Sequence, residues 1–166
     1  MENNKVVWSE GLFLRPQHLQ QQERYLERFV ELRAGGLRPY TWGFSELELE
    51  TDLLAIGKLG IKRARGVFPD GTPFAMPGDD PLPLALEVND NWRDQTVFLT
   101  LPLRSPAQPD SGRPEAPAEK LFRYRVRETE VRDASGSVDG LTVLEVGGLN
   151  SRLLPQSQPL EGLAQI

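Results

Sequence analysis

The sequence predicts a mainly β protein, an antiparallel β-sandwich with one amino-terminal amphipathic α-helix. Only one segment carries apolar residues at the three- and four-residue spacing of a helix. From Tyr40 onward, apolar residues recur with the period of two that is typical of strands. The 15 glycines and 14 prolines among 166 residues exceed the usual combined share of about 12%, which favours turns and short strands.

The single predicted helix covers about residues 16–34. It begins at Pro16, because a proline at the first helical position lacks an N–H that would have no intrahelical partner there. The pair Gly35-Gly36 ends it. Its apolar stripe consists of Leu19, Leu26, Phe29 and Val30, with Tyr25 and Leu32 beside them.

The rest of the chain is predicted to form strands within one domain, residues 1–166, since this length is enough to bury a hydrophobic core. The turn residues Pro69-Asp70-Gly71 predict a tight hairpin. A proline-rich loop, 104–118, and a polar turn, 133–140, connect the later strands. The predicted strands are 47–50, 59–68, 72–76, 82–88, 96–103, 121–132 and 141–146.

The strand at 121–132 alternates apolar residues with Arg123, Arg125 and Arg127. A half-buried strand with a solvated outer face is the favoured interpretation of this pattern. A docking surface for an acidic partner is the alternative.

Charge and composition exclude several classes of function. The chain has 19 Lys and Arg against 24 Asp and Glu, a net charge of -5, so it offers no basic stripe for nucleic acid. It contains no cysteine, which removes disulfides and thiolate metal sites. No signal peptide and no run of about 20 apolar residues is present, so we expect a cytoplasmic location without membrane insertion.

Catalytic constellations are missing from the sequence. His18 is the single histidine, and no serine or acid stands at a spacing that would orient it as a general base, so a structural or interface role is favoured. No phosphate-binding glycine motif occurs. The alternating acids Glu46, Glu48 and Glu50 are more typical of a solvated strand face than of a glycosidase pair. We therefore predict no catalytic residues, no metal and no cofactor.

The segment from Val6 to Gln22, called here the amino-terminal segment, is apolar and aromatic with little charge. If it is exposed, it is an interaction site, and if it is buried, it closes the sandwich. Both interpretations stay open, because exposed aromatic residues cluster at interfaces and buried ones in cores. Its apolar residues are Val7, Trp8, Leu12, Phe13 and Leu14.

Residues 7–23, VWSEGLFLRPQHLQQQE, resemble the amino-terminal signature of the TssK family, also called ImpJ or VasE, whose members are baseplate components of the bacterial type VI secretion system. The segments 40–44 and 68–72 are also similar to family segments. Leu19 departs from the phenylalanine that the family usually has, and it keeps the position apolar.

This resemblance implies a structural adaptor domain that docks on the TssF/TssG wedge, with no enzymatic activity. The fold implied is the amino-terminal shoulder domain, similar to shoulder domains of phage receptor-binding proteins, and the chain stops at residue 166 before a helical bundle and a head domain. In the family, a homotrimer also binds the TssJ/TssL/TssM membrane complex through those further domains. The residues expected to dock are Val7, Trp8, Leu12, Phe13, Leu14, Gln17, His18 and Gln21.

A second function remains as the alternative. Trp8, Trp42 and Trp92, together with the acidic strand, are compatible with a carbohydrate-binding or carbohydrate-cleaving β-sandwich module.

Overall fold

A computed structural model describes residues 3–37, 39–89, 91–113, 121–134 and 140–166. The chain forms two compact units, Met1–Thr41 and Trp42–Ile166. The first unit holds the amino-terminal segment and the long helix, and the second holds the strands. The elements are α1 (Pro16–Gly35), β1 (Gly43–Leu49), α2 (Thr51–Leu54), β2 (Lys58–Leu59), β3 (Ile61–Val67), β4 (Pro73–Met76), β5 (Leu86–Glu87), β6 (Val97–Pro102), β7 (Ser111–Gly112), β8 (Tyr124–Arg132), β9 (Leu141–Leu149), β10 (Arg152–Pro155) and β11 (Leu163–Gln165).

Both ends of helix α1 are explained by residues next to them in the sequence. Arg15 precedes it with extended backbone angles, φ -126° and ψ 153°, and Pro16 is its first helical residue. At its end, the N–H of Leu37 donates to the carbonyl of Ala34 over 3.0 Å, which satisfies one of the last free carbonyls. No residue of α1 is buried, so its apolar stripe faces solvent in the isolated chain.

The second unit consists of four small sheets, with strand orders β1-β3-β4, β10-β6-β11, β2-β5 and β7-β8-β9. Every pairing is antiparallel except the two-residue contact of β7 with β8. The predicted fold class, mainly antiparallel β with one amino-terminal helix, is confirmed. The four-residue helix α2 was not predicted from the sequence.

One hydrophobic core joins three of the four sheets. Its member Phe68 is fully buried, and the ring of Phe68 lies 4.9 Å from the ring of Phe74, centre to centre. The sheets contribute to a common core because each has one apolar face that must be removed from water. The core residues are Ile61, Ala64, Phe68, Phe74, Met76, Leu99, Leu101, Leu149, Leu153 and Ala164.

The predicted hairpin at Pro69-Asp70-Gly71 is confirmed between β3 and β4. The N–H of Phe68 donates to the carbonyl of Thr72 over 2.8 Å, and the Asp70 carboxylate accepts from the N–H of Thr72 over 3.1 Å. Gly71 has a φ of +87°, a conformation that side chains with a Cβ rarely adopt. Turn chemistry that is local in sequence therefore decides this part of the fold.

The predicted strand at 82–88 is wrong over most of its length, since only Leu86–Glu87 pairs with a neighbour. Pro81 and Pro83 lack the N–H that a sheet ladder needs, which outweighs the alternating apolar pattern. Leu84 is consequently exposed. Parts of two other predictions, residues 114–118 of the proline-rich loop and residues 135–139 of the polar turn, lie outside the described residues.

The predicted solvated outer face is wrong for Arg123, which lies just before β8 and is buried. Its side chain is only 4% exposed and forms an ion pair with Asp70, Nη2 to Oδ2, at 2.8 Å. Its Nη1 donates to the carbonyl of Pro102 over 2.6 Å, and Nη2 also donates to the hydroxyl of Thr72. The other two arginines of the pattern bind within the chain as well: Arg125 Nε donates to Asn150 Oδ1 and Arg127 Nη2 to the carbonyl of Asp79.

Candidate interaction surface

A tight turn interrupts the amino-terminal segment between Ser9 and Leu12. The N–H of Leu12 donates to the carbonyl of Ser9 over 3.2 Å, and Gly11 has a φ of +79°. A positive φ at the third residue of a turn is typical of type II and requires glycine. The turn therefore changes the direction of the chain between Trp8 and Phe13.

His18 lies in the first turn of α1 and contacts two residues that precede the helix. Its Nδ1 accepts a hydrogen bond from the N–H of Arg15 over 3.0 Å, which satisfies a donor just before the helix. Its ring lies 6.3 Å from the ring of Trp8, tilted by 44°. Because the Nδ1 lone pair is used in this bond, the imidazole acts here as a helix cap and an aromatic neighbour.

Gln21 binds the backbone of Asn4 to helix α1. Its Nε2 donates to the carbonyl of Asn4 over 2.9 Å, and its Oε1 accepts from Arg24 Nη1 over 3.3 Å. Gln21 and His18 are half-buried, whereas Gln17 is exposed. Two of the three polar residues predicted for the site thus position the segment, and Gln17 is open for contact.

The five predicted apolar residues are all exposed in the chain. Val7 is 83% exposed and Phe13 is 81% exposed, and Trp8, Leu12 and Leu14 also present apolar surface to solvent. Exposed apolar side chains held by a turn and by specific hydrogen bonds are typical of interaction sites. This exposure is compatible with the interaction interpretation, and the docking role of these residues stays a prediction.

Four features of the site were not predicted. Asn4 acts through its backbone carbonyl and Arg15 through its backbone N–H, so no side-chain pattern signals either role. Gly11 carried a usable signal, because glycine two residues after Ser9 is typical of a turn. The exposed residues of α1, among them Leu26 and Val30, extend the apolar surface beyond the predicted residues.

The residues that suggested a carbohydrate site are divided between the two units, with Trp8 in the first and Trp42, Trp92 and the acidic strand in the second. Within the strand-bearing unit, Trp42 is exposed and Trp92 is half-buried, and no ring contact joins these two in the described part of the chain. Glu46 pairs with Arg63 at 3.4 Å, and Glu48 pairs with Lys62 at 2.7 Å. No cluster of three or more metal-ligating side chains occurs among the described residues.

The Glu48–Lys62 pair is expected to make the stability of the fold depend on pH. The hydrogen bond from Lys62 and the charge of its ammonium lower the pKa of Glu48, and the same contact raises the pKa of Lys62. Since the folded pKa of Glu48 lies below its unfolded value, the stabilisation from this pair is present at neutral pH and is lost as the pH falls through the folded pKa.

We expect an NMR titration to show the lowered pKa of Glu48, and Lys62→Gln to return it to the ordinary range. Both groups lie at the surface, so added salt weakens the shift. An unchanged Glu48 titration in Lys62→Gln would contradict the assignment of the shift to this contact.

Fold and site together define a mainly antiparallel β protein that carries an exposed, hydrogen-bonded aromatic segment beside a helix. A family model described as bacterial type VI secretion, EvfL, ImpJ, VasE matches residues 18–166. The chain belongs to this family, TssK/ImpJ/VasE, as the resemblance in its first residues predicted. No helix among the described residues is long and apolar enough to cross a membrane.

Two relatives show how close the match is. The type VI secretion system baseplate component TssK1 of Pseudomonas aeruginosa is 46% identical over 164 residues, which is 99% of this chain and 37% of that protein. A crystal structure of TssK superposes with a TM-score of 0.90 at 37% identity, over 99% of this chain and 37% of the other. The chain thus spans little more than a third of the length of these relatives.

A cryo-electron microscopy structure of a TssK-TssF-TssG baseplate subcomplex also contains this fold. It superposes with a TM-score of 0.88 at 24% identity, over 99% of this chain and 55% of the other. At that identity the similarity concerns the fold.

Proposed function

We propose that this chain is an adaptor domain of the type VI secretion baseplate, and that it docks on the TssF/TssG wedge through the amino-terminal segment. The observation that carries the proposal is the exposure of five apolar residues on a segment held by the Ser9–Leu12 turn and by the Asn4–Gln21 hydrogen bond. An ordered apolar segment loses little conformational entropy when a partner covers it.

The proposed binding partners are inferred from related proteins. TssK1 is a baseplate component, and a protein of the same fold is found in a complex with TssF and TssG. Homotrimer formation and binding of the TssJ/TssL/TssM membrane complex are properties that we propose for the whole protein, through portions that this chain does not include. The proposal places the domain in the cytoplasm, at the baseplate beneath the inner membrane.

Trp8 and Phe13 are the expected anchors of the interface. Aromatic residues dominate the binding energy of interfaces when they enter desolvated pockets, because they bury large area with few rotatable bonds. Trp8 is held by its contact with His18, and Phe13 stands free on the other side of the turn. Gln17 and the exposed apolar residues around it are expected to form the periphery.

We expect the double change Trp8→Ala and Phe13→Ala to weaken binding to co-expressed TssF and TssG by about 2 kcal/mol or more. The measurement is isothermal titration calorimetry, with size-exclusion chromatography and light scattering to report the stoichiometry. Circular dichroism is expected to remain unchanged, because neither residue is in the core.

The matched control is Leu84→Ala, which removes an equally exposed apolar side chain from the strand-bearing unit and is expected to leave binding unchanged. If the double variant binds as tightly as the parent chain, the docking residues lie elsewhere. Binding to a glycan array, or an activity lost on changing Glu46 and Glu48, would support the carbohydrate alternative instead.

A further inference from the structure

The outer half of the hairpin formed by β8 and β9 contributes no residue to the hydrophobic core. At the inner end of the hairpin, Tyr124 lies opposite Leu149, and both belong to the core or pack against it. Side chains alternate between the two faces of a strand, so every second residue from Tyr124 onward lies on the same face. The outer part of this face, called here the hairpin face, is exposed to solvent. Its residues are Glu128, Glu130 and Arg132 from β8 and Leu141, Val143 and Glu145 from β9.

Three carboxylates gather on the hairpin face. Glu128 lies directly opposite Glu145, and like charges in that position destabilise a hairpin. Glu130 follows Glu128 on the same face, about 7 Å along the strand. Arg113 binds Glu145 through two contacts, Nη1 to Oε1 at 2.7 Å and Nη2 to Oε2 at 3.0 Å. No ion pair between described residues includes Glu128 or Glu130, so the negative charge along β8 is open to a partner.

Apolar side chains stand beside these carboxylates. Val143 is paired with Glu130 and is 56% exposed, and Leu141, nearer the tip of the hairpin, is 64% exposed. The hairpin face therefore has an acidic row along β8 and an apolar row along β9. A partner that matches both rows carries an apolar stripe with basic side chains along one flank.

The dimensions of the hairpin face fit one helix. Its outer half covers residues 126–132 and 141–147, which is about 23 Å of strand, and two paired strands are about 10 Å wide. An α-helix is about 10 Å in diameter, and about 15 residues of it span the same length. A helix lying on the face would contact both rows at once, whereas a strand added at either edge would reach only one of them.

We propose that the hairpin face binds a basic amphipathic α-helix of another protein. The apolar stripe of that helix covers Leu141 and Val143, and its lysine or arginine side chains lie beside Glu128 and Glu130. Helix α1 of a second copy is a poorer fit, because its charged side carries three glutamates and three arginines and the whole chain has a net charge of -5. The hairpin lies in the strand-bearing unit, so this surface is additional to the amino-terminal segment.

The first test examines charge with two labelled synthetic helical peptides of about 16 residues. One has a leucine stripe flanked by lysines, and the other has glutamate in place of every lysine. In fluorescence anisotropy we expect the parent chain to bind the lysine peptide at least about tenfold more tightly than the glutamate peptide. Glu128→Gln with Glu130→Gln is expected to raise the dissociation constant of the lysine peptide at least about fivefold. The matched control, Asp52→Asn with Glu161→Gln, makes the same change of net charge at two exposed acids and is expected to stay within about twofold of the parent.

The second test compares the two faces of the same hairpin. Leu141→Ala with Val143→Ala is expected to raise the dissociation constant of the lysine peptide at least about threefold, because apolar contact area is lost. Val131→Ala with Leu144→Ala is the control, since these side chains are 41% and 46% exposed on the opposite face, and we expect a change within about twofold. Circular dichroism is expected to show that the peptide gains helix on binding.

Stability distinguishes a binding role of Glu128 from a structural one. Glu128→Gln removes the repulsion from Glu145, so the urea concentration at the midpoint of unfolding is expected to rise. A lower midpoint would assign Glu128 to the support of the fold and contradict the proposal.

Equal affinity for the two peptides, or an equal loss of affinity in a test variant and its control, would overturn the proposal. A gain of strand signal in the bound peptide would mean that an added strand occupies the edge instead. Self-association of the parent chain that Leu141→Ala with Val143→Ala abolishes would mean that a second copy covers the face. Trp8→Ala with Phe13→Ala is expected to bind the lysine peptide as tightly as the parent chain, so this result is independent of the docking site.

Discussion

Replacing Arg123 by alanine is expected to lower the free energy of unfolding by about 3–5 kcal/mol. The change leaves the largely buried carboxylate of Asp70 without its cation and the carbonyl of Pro102 without its donor. A buried charge that loses its partner retains the full cost of removal from water. Since total stability is about 5–15 kcal/mol for a domain of this kind, the loss is a large fraction of it.

The measurement is urea unfolding followed by circular dichroism, with Arg127→Ala as the matched control. Arg127 belongs to the same alternating pattern but is exposed and makes a single hydrogen bond to a carbonyl, so its removal is expected to cost about 0–1 kcal/mol. Arg123→Lys keeps the charge without the planar fork that reaches three acceptors, and we expect an intermediate loss. Equal stability of Arg123→Ala and Arg127→Ala would mean that the buried ion pair does not support the fold.

Replacing Phe68 by alanine is expected to cost about 3–5 kcal/mol, because it removes the largest fully buried side chain of the core. Phe68 lies directly before the turn at Pro69-Asp70-Gly71 and contacts the ring of Phe74 from the strand after it. The cavity left behind would lie within the core to which three sheets contribute. Phe68→Leu refills part of the volume and is expected to cost about 1–2 kcal/mol.

Thermal and urea unfolding test this prediction, and Phe13→Ala is the control. Phe13 is the same residue type, but it is 81% exposed in the other unit, so its loss should leave stability within about 0.5 kcal/mol. A chain in which Phe68→Ala unfolds at the same urea concentration as the parent would contradict the core described above. Comparing the two variants thus distinguishes a phenylalanine that stabilises the fold from one that is exposed and available for binding.

Several elements were predictable because their causes are local. Pro16 with Gly35-Gly36 predicted α1 to within one residue, and Pro69-Asp70-Gly71 predicted the hairpin of β3 and β4. The strand predicted at 82–88 failed although its apolar alternation is clear, because two prolines remove the donors that pairing needs. Where apolar alternation and proline positions disagree, the need for backbone hydrogen bonds decides whether a strand forms.

The candidate site stays a prediction from the sequence, and the structure adds the arrangement of its residues. The residues from Val7 to Gln21 were chosen for their apolar and amide character, and the structure exposes the apolar ones. The roles of His18 as a helix cap and of Gln21 as an anchor for Asn4 depend on where the backbone turns at Gly11. Those roles require distances between residues up to 17 positions apart, which a linear pattern does not contain.

The sequence by itself determined the fold class, the helix and the tight turn, because proline, glycine and the apolar period act on neighbouring residues. Only the tertiary structure decided that Arg123 is buried against Asp70, 53 positions away, and that β9 pairs only with β8 among the described residues. Burial and strand neighbours depend on which distant segments pack together. The alternating arginines and the apolar β9 therefore follow ordinary strand patterns in the sequence and acquire different roles in the fold.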